Sequence, residues 1–311
     1  MTASDIKRFK IVVISGPTGV GKTGLGIHLA RHFGAEIVNA DSLQVYRGLD
    51  IGTAKPTPLE QTQARHHLLD LVDPDEDFDA ARYLDLARPL IQRLHDRGTR
   101  VLAVGGTGLY LRSLIKGLFK GPGGDAAVRE RLKSQARAEG WPALHHRLAQ
   151  VDPAAAARLH PHDRVRIERA LEVHELTGRT ISSFQAEHAL ADAPYDVLFF
   201  CLDLPREELY ARIESRTRDM LDQGLLEETA GLLARGYSPD LKPLRSIGYK
   251  EAVAHLAGRA TREETAREIM KQTRRFAKRQ LTWHRSQPDT VWLSPRDQDR
   301  ARELTAAFWG P

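Results

Sequence analysis

Residues 11–23 read Ile11-Val12-Val13-Ile14-Ser15-Gly16-Pro17-Thr18-Gly19-Val20-Gly21-Lys22-Thr23. An apolar run of strand length ends in a glycine-rich turn, and the turn opens a helix near Lys22. The backbone N–H groups of the turn and the positive end of that helix then aim at one point, which makes an anion site. Lys22 adds a mobile charge for an outer phosphate, and the Thr23 hydroxyl is placed to ligate Mg²⁺. Gly16, Pro17, Thr18, Gly19, Val20, Gly21, Lys22 and Thr23 are therefore expected to hold a phosphate or diphosphate. The string fixes neither the compound nor the reaction.

Outward from this loop, short apolar runs alternate with longer helical stretches. Residues 36–40 form a second strand with Asp41 at its tip, and 77–98 read as a helix. The strand 100–104 ends in Gly105-Gly106. From Gly121-Pro122-Gly123-Gly124 the pattern changes, and residues 125 to 193 show helical periodicity only. A strand returns at 196–202, and helices follow from 205 to 285. The alternation predicts an α/β fold, a P-loop NTPase-like parallel sheet flanked by helices. Residues 1–120 and 195–311 are assigned to a discontinuous core. Residues 121–194 are assigned to an all-helical insertion of roughly 70 residues, the size of a small domain.

Composition sets wider bounds. At 311 residues, 41% hydrophobic and 28% charged, the chain is expected to be globular with a sizeable core. A single cysteine, Cys201, excludes a disulfide framework and a cysteine-based zinc site, and fits the reducing cytoplasm. Lys7, Arg8 and Lys10 precede an apolar stretch too short for a signal peptide or membrane anchor, so no membrane association is expected. The net charge of +5 permits a nucleic-acid partner without requiring one. The histidine pairs His28/His32, His66-His67, His145-His146 and His160/His162 lack a matching acid or cysteine cluster, and packing or surface roles are expected.

Phosphate-loop ATPases usually place a Mg²⁺-directed carboxylate at the end of a later buried strand. Here Val101-Leu102-Ala103-Val104 ends in Gly105-Gly106-Thr107 and carries no acid. Asp41 stands at the tip of the second strand instead, where the carboxyl ends of an open α/β sheet face the ligand crevice. A carboxylate there can act as a general base toward an acceptor or reach a metal through water; the plain alternative is a helix cap or turn. A small-molecule kinase is consistent with these residues taken alone.

The string Asp41-Ser42-Leu43-Gln44-Val45-Tyr46-Arg47-Gly48-Leu49-Asp50-Ile51-Gly52-Thr53-Ala54-Lys55-Pro56 closely resembles the signature of the tRNA dimethylallyltransferases, or tRNA isopentenyltransferases. Further matches follow in that family's order: His67-Leu68-Leu69-Asp70, Gly105-Gly106-Thr107-Gly108-Leu109-Tyr110, Ala170-Leu171-Glu172-Val173, Ser246-Ile247-Gly248-Tyr249 and Ala277-Lys278-Arg279-Gln280-Leu281-Thr282-Trp283. The resemblance spans residues 9 to 295. It departs at Gly19-Val20, where the family commonly has Ala-Ser, a change that leaves the loop chemistry intact.

The resemblance implies prenyl transfer: N6 of the adenine just 3′ of the anticodon attacks C1 of dimethylallyl diphosphate, and diphosphate leaves. The loop would hold the leaving group with Mg²⁺ and no need of ATP. By the same match Asp41 is the general base, Thr107 contacts the target base, and Ser42, Leu43 and Gln44 line its pocket. Arg216 matches an arginine that clamps the diphosphate, and guanidinium suits phosphate oxygens. Arg212, on the same helix face, has the alternative of an i,i+4 pair with Glu208. Arg129 and the stretch Val165, Arg166, Ile167, Glu168, Arg169 match positions that meet the tRNA. The expected partners are the tRNA anticodon stem–loop and the prenyl diphosphate, with a monomeric enzyme.

Residues 267–285 hold seven Lys or Arg and one acid, Glu268. On a helix, Arg267, Lys271, Arg274, Arg275, Lys278 and Arg279 fall within a sector of about 140°. Ile269, Phe276 and Trp283 recur opposite it as the expected buried face. The cationic stripe can track a phosphate backbone, or be a solvated face only. An isopentenyltransferase acting on free AMP, ADP or ATP and a non-catalytic RNA-binding protein remain alternatives; the stripe and long insertion argue against the first, the intact loop with Asp41 and Thr107 against the second.

Overall fold

The apolar run before the glycine loop becomes an interior strand of a six-stranded sheet in the computed structural model, which describes residues 8–119, 121–188 and 193–310. The first segment contributes β1 (Phe9–Ser15), α1 (Lys22–Phe33), β2 (Glu36–Asn39), α2 (Pro58–Gln63), β3 (His66–His67), α3 (Ala80–Asp96), β4 (Val101–Val104) and α4 (Gly108–Lys116). The helices α5 (Ala126–Glu139), α6 (Trp141–Val151), α7 (Pro153–Ala156), α8 (Arg164–Thr177) and α9 (Ile181–His188) follow. The chain ends with β5 (Tyr195–Leu202), α10 (Arg206–Asp222), α11 (Leu225–Ala234), α12 (Tyr249–Leu256), α13 (Arg262–Arg285), β6 (Thr290–Leu293) and α14 (Gln298–Trp309).

The strand order is β3-β2-β4-β1-β5-β6, and every neighbouring pair is parallel. Crossover helices cover both faces, which is why Ile11, Val12, Val13 and Ile14 are all fully buried rather than alternating in and out. Ile14 pairs with Val104 and Phe200, and Val104 with Asn39, so the carboxyl ends of β1, β2 and β4 finish side by side. The loops after those strands start from a common rigid edge, where an open α/β sheet places its ligand crevice. Between them, α1 buries Leu25, Ile27, Leu29 and Ala30 and ends at Gly34 in the left-handed region.

Five elements went unrecognised in the sequence: α2, β3, α4, β6 and α14. β3 is only two residues long, and β6 with α14 follows the last helix expected. The helix expected at 77–98 begins at Ala80 because the Asp79 side chain accepts the amides of Ala81 and Arg82 and caps it. The face assigned to α13 needs correction. Its buried residues are Thr265, Ile269, Ala277, Gln280 and His284, while Phe276 is 37% exposed. Polar Gln280 and His284 go inward because partners await them there, which hydrophobic periodicity cannot register.

The chain divides into two compact units, Met1–Ile115 with Pro194–Pro311, and Lys116–Ala193. The first boundary lies ahead of the Gly121-Pro122-Gly123-Gly124 run. The second unit is described only by helices, with Leu132, Leu148, Ile167 and Leu171 fully buried at its centre. Lys7 and residues 189–192, within stretches assigned from the sequence, lie outside the described residues. Among the described residues no helix is long and apolar enough to cross a membrane.

Cys201 is fully buried on β5, where burial pushes its thiol up to about 12, with Asp203 adding to the rise and Lys22 opposing it. We expect iodoacetamide at about pH 8 to leave this thiol unmodified until the protein is denatured, since thiolate and access are both lacking. Intact-mass measurement before and after denaturation checks this; rapid labelling of the native protein would contradict it.

Candidate functional site

Gly16 takes φ 143, and a Cβ on it would lie 2.5 Å from the Leu202 carbonyl oxygen, so only glycine lets the chain turn directly off β1. The loop then wraps Lys22, whose Nζ donates to the carbonyls of Gly16 at 3.1 Å and Pro17 at 2.9 Å. Thr18 N–H donates to Gln280 Oε1 at 2.9 Å. The amides of Gly19, Gly21, Lys22 and Thr23 donate to no protein acceptor among the described residues. These donors at the start of α1 form the cradle the sequence leads one to expect. The side chain of Val20 is fully buried, so its share in the loop is backbone.

The charges around the loop are arranged unevenly. Burial, then the neighbouring Arg216, pushes the Lys22 ammonium down to about 8, with Asp41 opposing them. Burial also lowers Arg216, again with Asp41 pulling the other way. Two cations and one carboxylate from α1, α10 and the β2 tip therefore share one region. Burial disfavours both cations and Arg216 adds to the cost at Lys22, so a multivalent anion there relieves both. Arg212 makes the i,i+4 pair with Glu208 at 3.2 Å, and its other nitrogen donates to the Val20 carbonyl at 3.3 Å. It braces the loop from outside.

Opposite the loop stands a second wall. Gly105 approaches β2 so closely that a Cβ would lie 2.2 Å from the Ala40 oxygen. Thr107 N–H donates to that same Ala40 oxygen at 3.2 Å, and Thr107 Oγ1 accepts the Ser42 amide at 3.0 Å. The Ser42 and Thr107 hydroxyls lie 3.3 Å apart. Asp41 Oδ1 accepts the Leu43 amide at 2.9 Å, as a turn aspartate does, while Oδ2 accepts no hydrogen bond among the described residues. The turn role and an available carboxylate oxygen coexist. Gln44 Nε2 donates to the carbonyls of Thr53 and Ala54, so this glutamine fastens its own loop and offers the pocket only its remaining surface.

The rest of the signature string is scaffolding. Glu228 accepts the amides of Asp50, Ile51 and Gly52 and the Tyr249 hydroxyl. Buried Lys55 bonds Asp50, Asp70 and the Tyr46 carbonyl. Both hold the segment after Asp41 in place.

Sequence reasoning gave no role to Gln280, His284 or Ser15. Gln280 joins Thr18 N–H to the Gly106 carbonyl, each at 2.9 Å, with the residue 8% exposed. Leaving two such buried groups unpaired costs about 1–3 kcal/mol each. The Ser15 hydroxyl donates to the Gly105 carbonyl at 2.7 Å, so at 3.2 Å it accepts from His284 Nε2. Burial, then Lys22, pushes His284 down to about 4, which keeps it neutral. The available signal was a polar pair at i,i+4, Gln280 and His284, aligned with buried Ala277.

The remaining expected residues are dispersed. Arg267, Arg275, Lys278 and Arg279 are exposed on α13, as is Lys271, which pairs with Glu268 at 2.9 Å. Arg274 leaves the stripe, stacking over Tyr210 and approaching Glu214. In the second unit Arg129 and Arg169 converge on fully buried Glu172. Burial raises that carboxyl, but hydrogen bonds from Arg169 and Arg129 outweigh it and hold the group below the usual range. The side chain of Ile167 is fully buried in the core of the second unit, so any RNA contact at this position is left to its backbone. Glu168 is half-buried, Arg166 pairs with Asp163 at 2.6 Å, and Val165 stands 79% exposed between Arg164 and Arg166.

The family model described as IPP transferase matches residues 44–287. The chain is 52% identical to the tRNA dimethylallyltransferase of Geobacter sulfurreducens, with 97% of each chain covered. It is 50% identical to that of Desulfosudis oleivorans, covering 96% of this chain and 95% of the other. Among solved structures it is similar to the full-length tRNA isopentenylpyrophosphate transferase from Bacillus halodurans, with TM-score 0.72, 38% identity and 96% of each chain covered. It is also similar to a eukaryotic dimethylallyltransferase acting on tRNA, with TM-score 0.78 and 29% identity over 96% of this chain and 78% of that one. A parallel sheet built around a phosphate loop, a family match over residues 44–287 and half-identical relatives along nearly the whole length thus make this chain a member of the IPP transferase family, that of the tRNA dimethylallyltransferases.

Proposed function

We propose that this protein transfers the dimethylallyl group of dimethylallyl diphosphate to N6 of the adenosine 3′-adjacent to the anticodon of tRNA. The observation that carries this reading is that Lys22 of the glycine loop, Arg216 and Asp41 act on one another's charge, with Ser42 and Thr107 bonded together next to Asp41 in the chain. The N6–C1 bond forms as the C1–O bond breaks, and the N6 proton passes to the Asp41 carboxylate. The leaving diphosphate gains charge as it departs. Loop amides, Lys22 and Arg216 therefore stabilise the transition state more than the ground state. Thr107 would bond the adenine, which must leave the anticodon-loop stack to reach Asp41.

Mg²⁺ fits the donors present. The Thr23 hydroxyl makes no hydrogen bond among the described residues, and no group of three His, Cys, Asp or Glu side chains there could hold a metal. One hydroxyl plus diphosphate oxygens and water is the donor set a magnesium ion favours. When bound, the ion neutralises charge on the diphosphate; Thr23 would hold it.

The exposed side of α13 supplies phosphate contacts for RNA in this reading; on the second unit, taken by itself, Arg164 offers a guanidinium plane and Val165 an apolar surface to a base. Replacing Lys271, Lys278 and Arg279 together by glutamine is expected to weaken tRNA binding and reduce the salt slope by about 0.7–0.9 for each phosphate that is no longer neutralised. Filter binding at several salt concentrations measures it, and an unchanged slope makes the stripe a solvated face. The first unit alone carries the loop, the base and the stripe, so we take the protein as a monomer; the single free cysteine accords with the cytoplasm. The overall reading is tested by incubating protein with labelled dimethylallyl diphosphate, undermodified tRNA and Mg²⁺, with AMP and ATP in parallel. Label in tRNA supports it; label in AMP alone, or ATP consumption without transfer, rejects it.

A further inference from the structure

Two loops must hold their reacting groups a fixed distance apart, and they come from different strands. The glycine loop follows β1 and the Gly105-Gly106-Thr107 loop follows β4. Their strands pair only as far as Ile14 and Val104, with Gly105 N–H donating to Ile14 O as the last backbone link. Beyond that, a side chain joins the loops, and it belongs to neither. The Gln280 carboxamide accepts from Thr18 N–H and donates to the Gly106 carbonyl, one bond to each side. A Cβ on Gly106 would lie 2.6 Å from Gln280 Nε2 and 3.5 Å from Lys22 Nζ, so the joint lies beside the loop cation. On the same face of α13, His284 fixes Ser15 and through it Gly105, one residue from each of the two strand ends.

We propose that Gln280 is a positioning residue which spans the diphosphate loop and the acceptor loop and sets the distance across which donor and nucleobase meet. The inference rests on the function proposed above. Its chemical basis is that an unsubstituted carboxamide offers one acceptor and one donor at opposite sides of a short plane. A backbone amide on one loop and a backbone carbonyl on the other require that combination. Methionine fills the volume but makes neither bond, and glutamate keeps the acceptor while facing the Gly106 carbonyl with a second oxygen. Lys278 and Arg279 immediately precede Gln280 and are exposed, so a helix that receives RNA on one side carries the spacer on the other. An anchor role alone is a weaker account, because α13 is also held by buried Thr265, Ile269 and Ala277 and by His284.

Positioning errors near 1 Å cost on the order of 10²-fold in rate. Gln280→Met is therefore expected to slow single-turnover prenyl transfer at saturating donor and tRNA by about 10- to 100-fold. Affinity for an anticodon stem–loop, measured by filter binding, stays within about twofold, as expected when one buried hydrogen-bonding group remote from the phosphate-binding face is altered. Gly106→Ala strikes the same joint from the other side and serves if the methionine variant folds poorly. If both act through one joint, the double variant is no slower than the slower single variant. A Gln280→Met rate within about threefold of wild type overturns the proposal, since that is below the cost of a misplaced group. So does a rate loss that disappears when the tRNA concentration is raised further, or full additivity with Gly106→Ala. If wild type itself transfers no label to tRNA, the functional reading fails instead.

Discussion

Asp41→Ala is expected to lower the single-turnover rate of prenyl transfer by at least about 10²-fold, and up to 10⁴-fold, the range for loss of a positioned base. An exocyclic adenine amine shares its lone pair with the ring and attacks weakly while it keeps both protons. A carboxylate that accepts a proton as the new bond forms removes that penalty at the moment it matters. The geometry leaves one oxygen of Asp41 for this work, since Oδ1 is engaged by the Leu43 amide and Oδ2 is not. Asp41→Asn keeps the turn-forming oxygen and loses the base, so it separates the two roles: we expect it to be nearly as slow as Asp41→Ala and better folded. Binding of tRNA stays close to normal in both variants. Near-normal single-turnover kinetics in Asp41→Asn would exclude the residue as the base.

The second large effect is expected at Lys22. Its ammonium is held near the start of α1 with its pKa pushed down to about 8, a cation kept beside Arg216 at a cost in stability. That cost is explained if a multivalent anion occupies the site during the reaction. Lys22→Ala is expected to slow transfer by about 10²–10³-fold, comparable to the loss of one preorganised donor to a developing negative charge. Folding stability should not fall in parallel and is expected to rise slightly, because Lys22→Ala removes a charge that burial and Arg216 disfavour. Thermal unfolding without ligand, set beside single-turnover rates, checks both halves. A variant that loses activity only in proportion to its loss of folded protein would contradict this account. Lys22→Arg is not a conservative control, since guanidinium is planar and longer than the ammonium that fits between the Gly16 and Pro17 carbonyls.

The site divides according to which physical signal each part leaves in a sequence. The glycine loop was readable because its backbone conformation demands glycine and its chemistry demands Lys22 and Thr23 at fixed spacing. Asp41 was readable from strand logic, since a buried run of Ile37 and Val38 must deliver the next polar residues to the ligand edge. Its observed turn role was not separable from the proposed role as base, because both use the same side chain at the same place. The sheet was underestimated at its margins. Strand β3 is pinned by pairing of Ile37 and Val38 with His66 and His67, too short to show a period. Helix α13 was readable on its charged side and misassigned on its buried side. Phe276 and Trp283 suggested a heptad, whereas Gln280 and His284 occupy the interior because the loop backbones and Ser15 satisfy them. Hydrophobicity scales price a buried glutamine as an error unless its partners are known, and those partners are far away along the chain. The family resemblance supplied the reaction, which no spacing argument could have done.

The interior position of β1 has a consequence for how the molecule is made. That strand needs β4 on one side and β5 on the other, yet residues 116–193 are synthesised between those two neighbours. At about 5–20 residues per second a ribosome takes roughly 4–16 s to deliver that stretch. Throughout that interval the nascent chain holds Phe9–Ser15 with one flank unpaired, an apolar edge of the kind that recruits stray strands. A helical block that condenses by itself during the wait keeps its own apolar residues away from that edge, and chaperone dependence in this protein should concentrate there.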